Sequence, residues 1–331
     1  MTPDARPSMP NAVHQSTPVG SPHAAYAELH CLTNFTFLRG ASHPEELVER
    51  ASALGYTALA ITDECSMAGV VKAHIAAKRC QLKLIIGNEL TLEDGTKIIL
   101  LAKNRQGYGE LCHIITLARR RAKKGQYQVT LKDFKGSTEH LIAIWIPQHQ
   151  QRLEPGGRPS ALKTLFGDRL WLGAVRALDG FDHLQTEDLK AIASAHTLPI
   201  VACGDIQMHE SNRKPLLDTL CAIRHGCSVQ SAGRLLQSNA ERYLKTRAEL
   251  TELYPQQWLF NTRNIAKACT FSLDELRYEY PKELVPTHQT PASYLSSLTW
   301  AGANQRWPDG ITDTVALQIK KELDLINEMN Y

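Results

Sequence analysis

The sequence has no run approaching the roughly 18 apolar residues that a membrane-spanning helix needs. Its most apolar stretches are short, such as 97-KIILLA-102. Nothing resembling a secretory leader is present, and none of the eight cysteines (31, 65, 80, 112, 203, 221, 227 and 269) forms a C-x-x-C pair. A soluble, cytoplasmic chain with free thiols and no membrane partner is therefore expected. An excess of either charge is also missing. The formal net charge is +3, so the chain as a whole is not an electrostatic nucleic-acid binder and any basic patch has to be local. What is present is ordinary globular material: 43% hydrophobic and 21% charged residues over a length of 331. That excludes a chain disordered throughout and leaves room for one large α/β domain with an attached segment.

Residues 1 to about 24 hold five prolines among small polar residues and are expected to be a flexible, disordered leader, since they bury too little to offset ordering. From Tyr26 the pattern becomes strand, helix, strand. It runs through AELHCL, a helix with a Ser42 cap and Pro44 at its start, and the strand 57-TALAIT-62. The alternation continues with a helix over 68–80, strands over 82–90 and 97–102, a helix over 107–124 and a strand over 140–146. After a loop rich in Pro, Gly and Gln come a strand over 169–175, a helix over 186–197 and a strand over 198–203. This favours a largely parallel sheet or barrel. From about 214 onward only helices are expected, interrupted by the Pro-rich 281-PKELVPTHQTP-291, and the last helix, over 313–331, runs amphipathically to the terminus with no stop signal.

His30, Asp63, Glu89 and Asp205 each fall at or just past the carboxyl end of an expected strand, where barrel folds place reactive groups. Imidazole and carboxylates gathered at a barrel mouth suit a hydrolytic metal site, while the plainer reading has them capping helices and holding loops. A second feature is Arg119, Arg120, Arg121, Lys123 and Lys124, followed by Gly125. Cations at a helix end complement its dipole and glycine is a usual terminator. Five exceed what capping needs, and such a cluster is a candidate DNA contact through phosphates.

The stretch 28-ELHCLTNFTFLRGASHPEELVERASALGYTALAITDECSMAGVVKAH-74 resembles the opening of the PHP domain of bacterial C-family DNA polymerases, and is most similar to their error-prone, damage-induced branch. Collinear matches follow in 83-KLIIGNEL-90, 107-GYGELCHIITLARRRAKKGQY-127, 200-IVACGDIQMHE-210, 213-RKPLLDTLCAIRHG-226, 271-FSLDELRYEYPKELVP-286, 290-TPASYLSSLT-299 and 306-RWPDG-310. The resemblance implies an α/β fold, a PHP-type distorted β/α barrel over 26–225, followed over 226–331 by a mostly α-helical segment leading into a polymerase palm.

The resemblance also implies a metal site, and the residues depart from it. An intact site begins His-x-His, where this chain has His30-Cys31-Leu32. The Asp-His pair of the next strand is Asp63-Glu64, the histidine expected at the start of the KIILLA strand is Lys97, Pro147 or a neighbour replaces a Cys or His, and the final Asp-x-His is Asp205-Ile206-Gln207. His30, Glu89 and Asp205 survive, with Asp63, Glu64 and His209 as substitutes. Lys97 is a cation and would oppose a metal. The expected state is a degenerate site with no metal or a partial complement of divalent metal. By resemblance the full-length protein would be a DNA-directed DNA polymerase, a nucleotidyltransferase acting in translesion synthesis and mutagenesis. It would use Mg2+ on palm carboxylates beyond Tyr331, with DNA, the sliding clamp and mutasome proteins as partners, and this chain would not polymerise DNA by itself. The rival readings are a metal-dependent PHP phosphoesterase or exonuclease and a free-standing, non-catalytic interaction module.

Overall fold

The computed structural model describes residues 25–136, 138–148, 151–152, 156–277 and 285–329. The expected leader and part of the Pro-rich connection lie outside them. The chain divides into two compact units, one ending at Leu276 and one beginning at Arg277.

The first unit is built on seven strands hydrogen-bonded in sequence order: β1 (Ala27–Glu28), β2 (Ala58–Ile61), β3 (Lys83–Thr91), β4 (Lys97–Ala102), β5 (Leu141–Ile146), β6 (Leu170–Val175) and β7 (Ile200–Cys203). The sheet is parallel except at β4, which runs antiparallel to both neighbours. The β3–β4 connection is a short turn, too short for the helical crossover a parallel pair requires. Beyond the ladders the sheet curls toward closure: Leu32 N–H donates to the Ile206 carbonyl (2.8 Å) and Ile206 N–H to the His30 carbonyl (2.9 Å). The result is a nearly closed, mixed seven-stranded barrel.

Strand alternation sorts two cores. Facing inward are Ala58, Ala60, Ile85, Ile99, Leu101, Ile144, Val201 and Cys203. Facing outward, under the helices, are Leu59, Ile61, Ile86, Ile98, Leu100, Trp145, Leu172 and Ala202. A barrel this narrow needs small inner residues. At Gly87 an added Cβ would lie 2.4 Å from the Leu100 carbonyl oxygen, so only glycine fits between β3 and β4.

The outer helices are α1 (Pro44–Ala53), α2 (Val70–Cys80), α3 (Arg105–Arg120), α4 (Arg158–Phe166), α5 (Asp182–His196), α6 (Lys214–Arg224), α7 (Val229–Ala232), α8 (Arg247–Leu253) and α9 (Gln256–Ala268). The first carries Pro44 at its start and Glu45 and Glu46 in its first turn. Its N-cap is His43, whose N–H donates to Glu46 Oε2 at 2.8 Å. Ser42, the cap expected from sequence, instead accepts from His209 N–H. Helix α3 starts on Asn104, whose side chain accepts from Gly107 N–H, and ends at Arg120, so the basic run straddles its end.

Helix α9 covers the barrel end opposite the strands' carboxyl termini. Asn261 donates to the Ile200 carbonyl (2.7 Å), Thr262 accepts from Ala27 N–H (3.1 Å), and Lys83 donates to the Ala266 carbonyl (2.6 Å). Residues past 225 therefore pack with the barrel, and the compact unit extends to Leu276. The second unit contains α10 (Pro291–Arg306), capped by Thr290, and α11 (Asp313–Met329), in which no residue is buried.

The thiols divide by depth. Cys31, Cys65, Cys203 and Cys269 are buried and Cys80, Cys112, Cys221 and Cys227 are partly exposed. Burial pushes Cys65 up to about 11 and Cys269 up to about 12, and Cys31 and Cys203 well above the ordinary thiol. Alkylation of the native protein at about pH 8, mapped by peptide mass spectrometry, should label the second set and leave the first until denaturant is added. Fast labelling of Cys31 or Cys203 would contradict this packing.

Candidate functional site

Three of the residues singled out from sequence come together at the carboxyl-terminal mouth. His30 follows β1, Glu89 lies in β3 and Asp205 follows β7. Glu89 is on the inward register of β3, two residues beyond Gly87, and Asp205 continues the inward register of Val201 and Cys203. Asp205 takes a left-handed backbone, φ +48°, a conformation aspartate tolerates better than most residues. His30 Nε2 is 2.7 Å from Glu89 Oε2 and 3.6 Å from Asp205 Oδ1. One ligand atom from each of the three lies within 4.8 Å of the others, and among the described residues no other group of three meets that condition. The triad is thus of a kind that could hold a divalent cation.

The surrounding charges do not suit one. Arg39 Nη1 contacts Glu89 Oε1 at 2.7 Å and also bonds Glu64. Lys97 Nζ lies 3.3 Å from Glu89 Oε2, and Arg242 pairs with Asp205. Every carboxylate of the triad therefore already faces a fixed cation. The imidazole is committed as well. Glu89 can only accept, so Nε2 carries the proton and donates to it, and no lone pair on Nε2 is left for a metal. The other ring nitrogen, Nδ1, is buried without a partner. A divalent ion would have to displace these contacts and sit against three like charges.

The titration directions agree. Burial opposes ionisation of Glu89, yet Lys97, His30 and Arg39 together hold its carboxyl well below the ordinary value. Burial, together with repulsion by Arg39 and Arg242, outweighs Glu89 and lowers the Lys97 ammonium. Burial and Arg39 likewise lower Arg242. Burial also lowers His30, which favours the neutral ring.

The substitutes considered from sequence are engaged elsewhere. Asp63 accepts from Thr33 N–H (2.8 Å), Thr33 Oγ1 (2.8 Å) and Thr36 Oγ1 (2.6 Å), which fixes the loop carrying Arg39. Glu64 is shared by Arg39 and the Tyr127 hydroxyl. His209 Nδ1 bonds Ser42 at 2.7 Å. None joins the cluster. In the basic run, Arg119 donates to the Cys65 and Glu64 carbonyls and Arg121 forms a two-point pair with Asp133 at 2.8 and 2.9 Å. Arg120, Lys123 and Lys124 are exposed.

Sequence reasoning flagged Lys97 and missed Arg39 and Arg242. Arg39 belongs to a loop with no strand or helix register, and Arg242 comes from an irregular stretch 203 positions after it in the chain. Only the tertiary fold brings them to one pocket.

Residues 28–159 match the family described as PHP domain. The chain is 51% identical to an error-prone DNA polymerase of Bordetella parapertussis, over 92% of this chain and 30% of that protein. It is 48% identical to an error-prone DNA polymerase of Methylococcus capsulatus, over 94% of this chain and 30% of that one. The chain thus spans about 30% of the length of the curated relatives it matches. Among solved structures, an amidohydrolase from Chromobacterium violaceum is similar with a TM-score of 0.39 and 16% identity, over 56% of this chain and 88% of that one.

Proposed function

We propose, from the premise that this chain belongs with the error-prone DNA polymerases and carries their PHP domain, that its barrel is a structural, metal-free domain of such a polymerase. The observation that carries this reading is the pairing of both triad carboxylates with Arg39, Lys97 and Arg242. Removing one partner of such a pair leaves a buried, uncompensated charge, so the cluster resists exchange for a metal.

The division into a PHP domain over 26–225 and a helical segment over 226–331 belongs to this proposal, with α8 and α9 acting as the barrel's closing elements. The polymerase would transfer deoxynucleoside monophosphates to a primer in damage-induced translesion synthesis, in the cytoplasm. Its magnesium and palm carboxylates would belong to regions of the relatives that this chain does not match. DNA, the sliding clamp and mutasome proteins would be its partners, and Arg120, Lys123 and Lys124 are the members of the basic run left exposed for a phosphate backbone.

The phosphoesterase or exonuclease reading draws on one observation, the closeness of the three ligand atoms. The exposed Leu317 and Leu325 on α11 speak against a free-standing module. Metal analysis of the purified chain decides between the first two. The expected result is well under one equivalent of zinc, manganese or iron, with no hydrolysis of a generic phosphoester or of single-stranded DNA when divalent ions are added. Stoichiometric metal, with hydrolysis lost in Asp205→Asn, would establish the enzyme instead.

A further inference from the structure

The three cations that take the place of metals do more than neutralise the triad. A cavity of about 330 Å³ opens above the barrel mouth, and its walls include Arg39, Lys97, Arg152, Arg224 and Arg242, against the carboxylates Asp179, Asp205 and Asp218. Asp218 is held by Lys214 through contacts of 2.6 and 2.7 Å, so the cavity wall is cationic on balance. This is the reverse of what a metal pocket needs, since metal ligands must present negative charge or lone pairs.

The deep cations keep donors in reserve. Arg39 uses one nitrogen, Nη1, for both Glu64 and Glu89. Arg242 spends Nη1 on Asp205 and Nε on Gln237 (3.0 Å), which leaves Nη2. Lys97 makes one ion pair, at 3.3 Å, with an ammonium that can donate three times. All three side chains are largely buried, between 15% and 21% exposed, and each repels the others. An anion with several oxygens, set among them, would use the reserve donors and relieve that repulsion.

We propose that the barrel mouth is a metal-independent binding pocket for a phosphate group, received by Arg39, Lys97 and Arg242 and screened at the rim by Arg224. The inference rests on the metal-free reading of the pocket given above. Guanidinium forks and a primary ammonium converging on one cavity suit a tetrahedral dianion, because its oxygens accept from several directions at once. Binding is the whole of the proposal. No base or metal-activated water is positioned, and no bond is broken. The phosphate could belong to free orthophosphate or pyrophosphate, or to the 5′ end of a DNA strand, and the pocket's chemistry is the same for each.

Isothermal titration of the intact chain in excess EDTA tests this, with pyrophosphate, orthophosphate, and a short oligodeoxynucleotide with and without a 5′-phosphate. Saturable binding of a phosphate species is expected. Lys97→Met should weaken it at least tenfold, and Arg224→Gln, an exposed change that leaves folding intact, by severalfold. Preference for the 5′-phosphorylated strand over the unphosphorylated one assigns the site to strand ends; binding of the inorganic anions alone assigns it to free phosphate; both support the pocket. Absence of binding by every phosphate species, or binding unaltered in both variants, overturns the inference and leaves the metal-free reading standing. Binding that appears only when divalent metal replaces EDTA overturns both.

Discussion

Glu28→Ala should cost this protein roughly 3–5 kcal/mol of stability, whereas Glu28→Gln should cost less than about 1.5, the difference being set by how many buried N–H groups lose their acceptor. Glu28 is 1% exposed, and its Oε1 accepts from Leu29 N–H (2.9 Å), His30 N–H (2.8 Å) and Gly204 N–H (3.0 Å). Its Oε2 accepts from the Tyr26 hydroxyl at 2.8 Å. This one carboxyl thus ties the segment leaving β1 to the segment leaving β7, where the barrel closes. Alanine removes all four contacts and leaves a void. Glutamine keeps an acceptor oxygen for the three backbone donors, and the Tyr26 hydroxyl can turn to accept from the new amide. The same hub explains Gly204, where an added Cβ would lie 2.3 Å from Glu28 Oε2.

The hub also gives a sign for pH. Burial raises the Glu28 carboxyl above its ordinary value, although backbone donors from Gly204 and His30 and the Tyr26 hydroxyl pull it back. A group whose folded pKa is raised penalises folding at pH values above that folded pKa, and the penalty fades as pH falls to the ordinary value of about 4.3. The glutamine variant does not titrate. Its stability relative to the parent should therefore be more favourable near neutral pH than at about pH 4. Urea unfolding at the two pH values measures this, and an alanine variant within about 1 kcal/mol of the parent at unchanged m-value would refute the hub.

Much of the barrel was legible because strands announce themselves by short apolar runs and period-two alternation. The stretch 97-KIILLA-102 is β4 to the residue, and the inward register carried through to Glu89 and Asp205. Other features were hidden for physical reasons. The antiparallel direction of β4 depends on a turn of five residues between Thr91 and Lys97, a length that apolar periodicity does not weigh. The shift of the α1 cap from Ser42 to His43 reflects a tertiary bond, since Ser42 is used by His209. At the site, the lost ligands could be read one by one against the family pattern, but the replacement of metal by Arg39 and Arg242 could not. Those two residues meet only through the loop after β1 and the strap before α8, which no local spacing encodes.

The second large effect concerns Glu89, which is 0% exposed and is shared by His30, Arg39 and Lys97. Glu89→Ala should destabilise the fold by about 3 kcal/mol or more, because it leaves Lys97 charged in a largely buried position with no partner, and Arg39 with Glu64 alone. The double change Glu89→Met with Lys97→Met should recover most of that loss, since well-packed apolar residues often replace a buried ion pair at little or no cost. A coupling of at least about 2 kcal/mol between the two sites is expected from chemical denaturation of the four variants. Additive losses would mean that Glu89 acts through its hydrogen bond to His30, with Lys97 a bystander. If the coupling is found and the double variant is as stable as the parent, stability does not account for keeping charge at the barrel mouth. The charges would then be maintained for what they bind, and the double variant, folded yet stripped of its deepest cation, should have lost phosphate affinity.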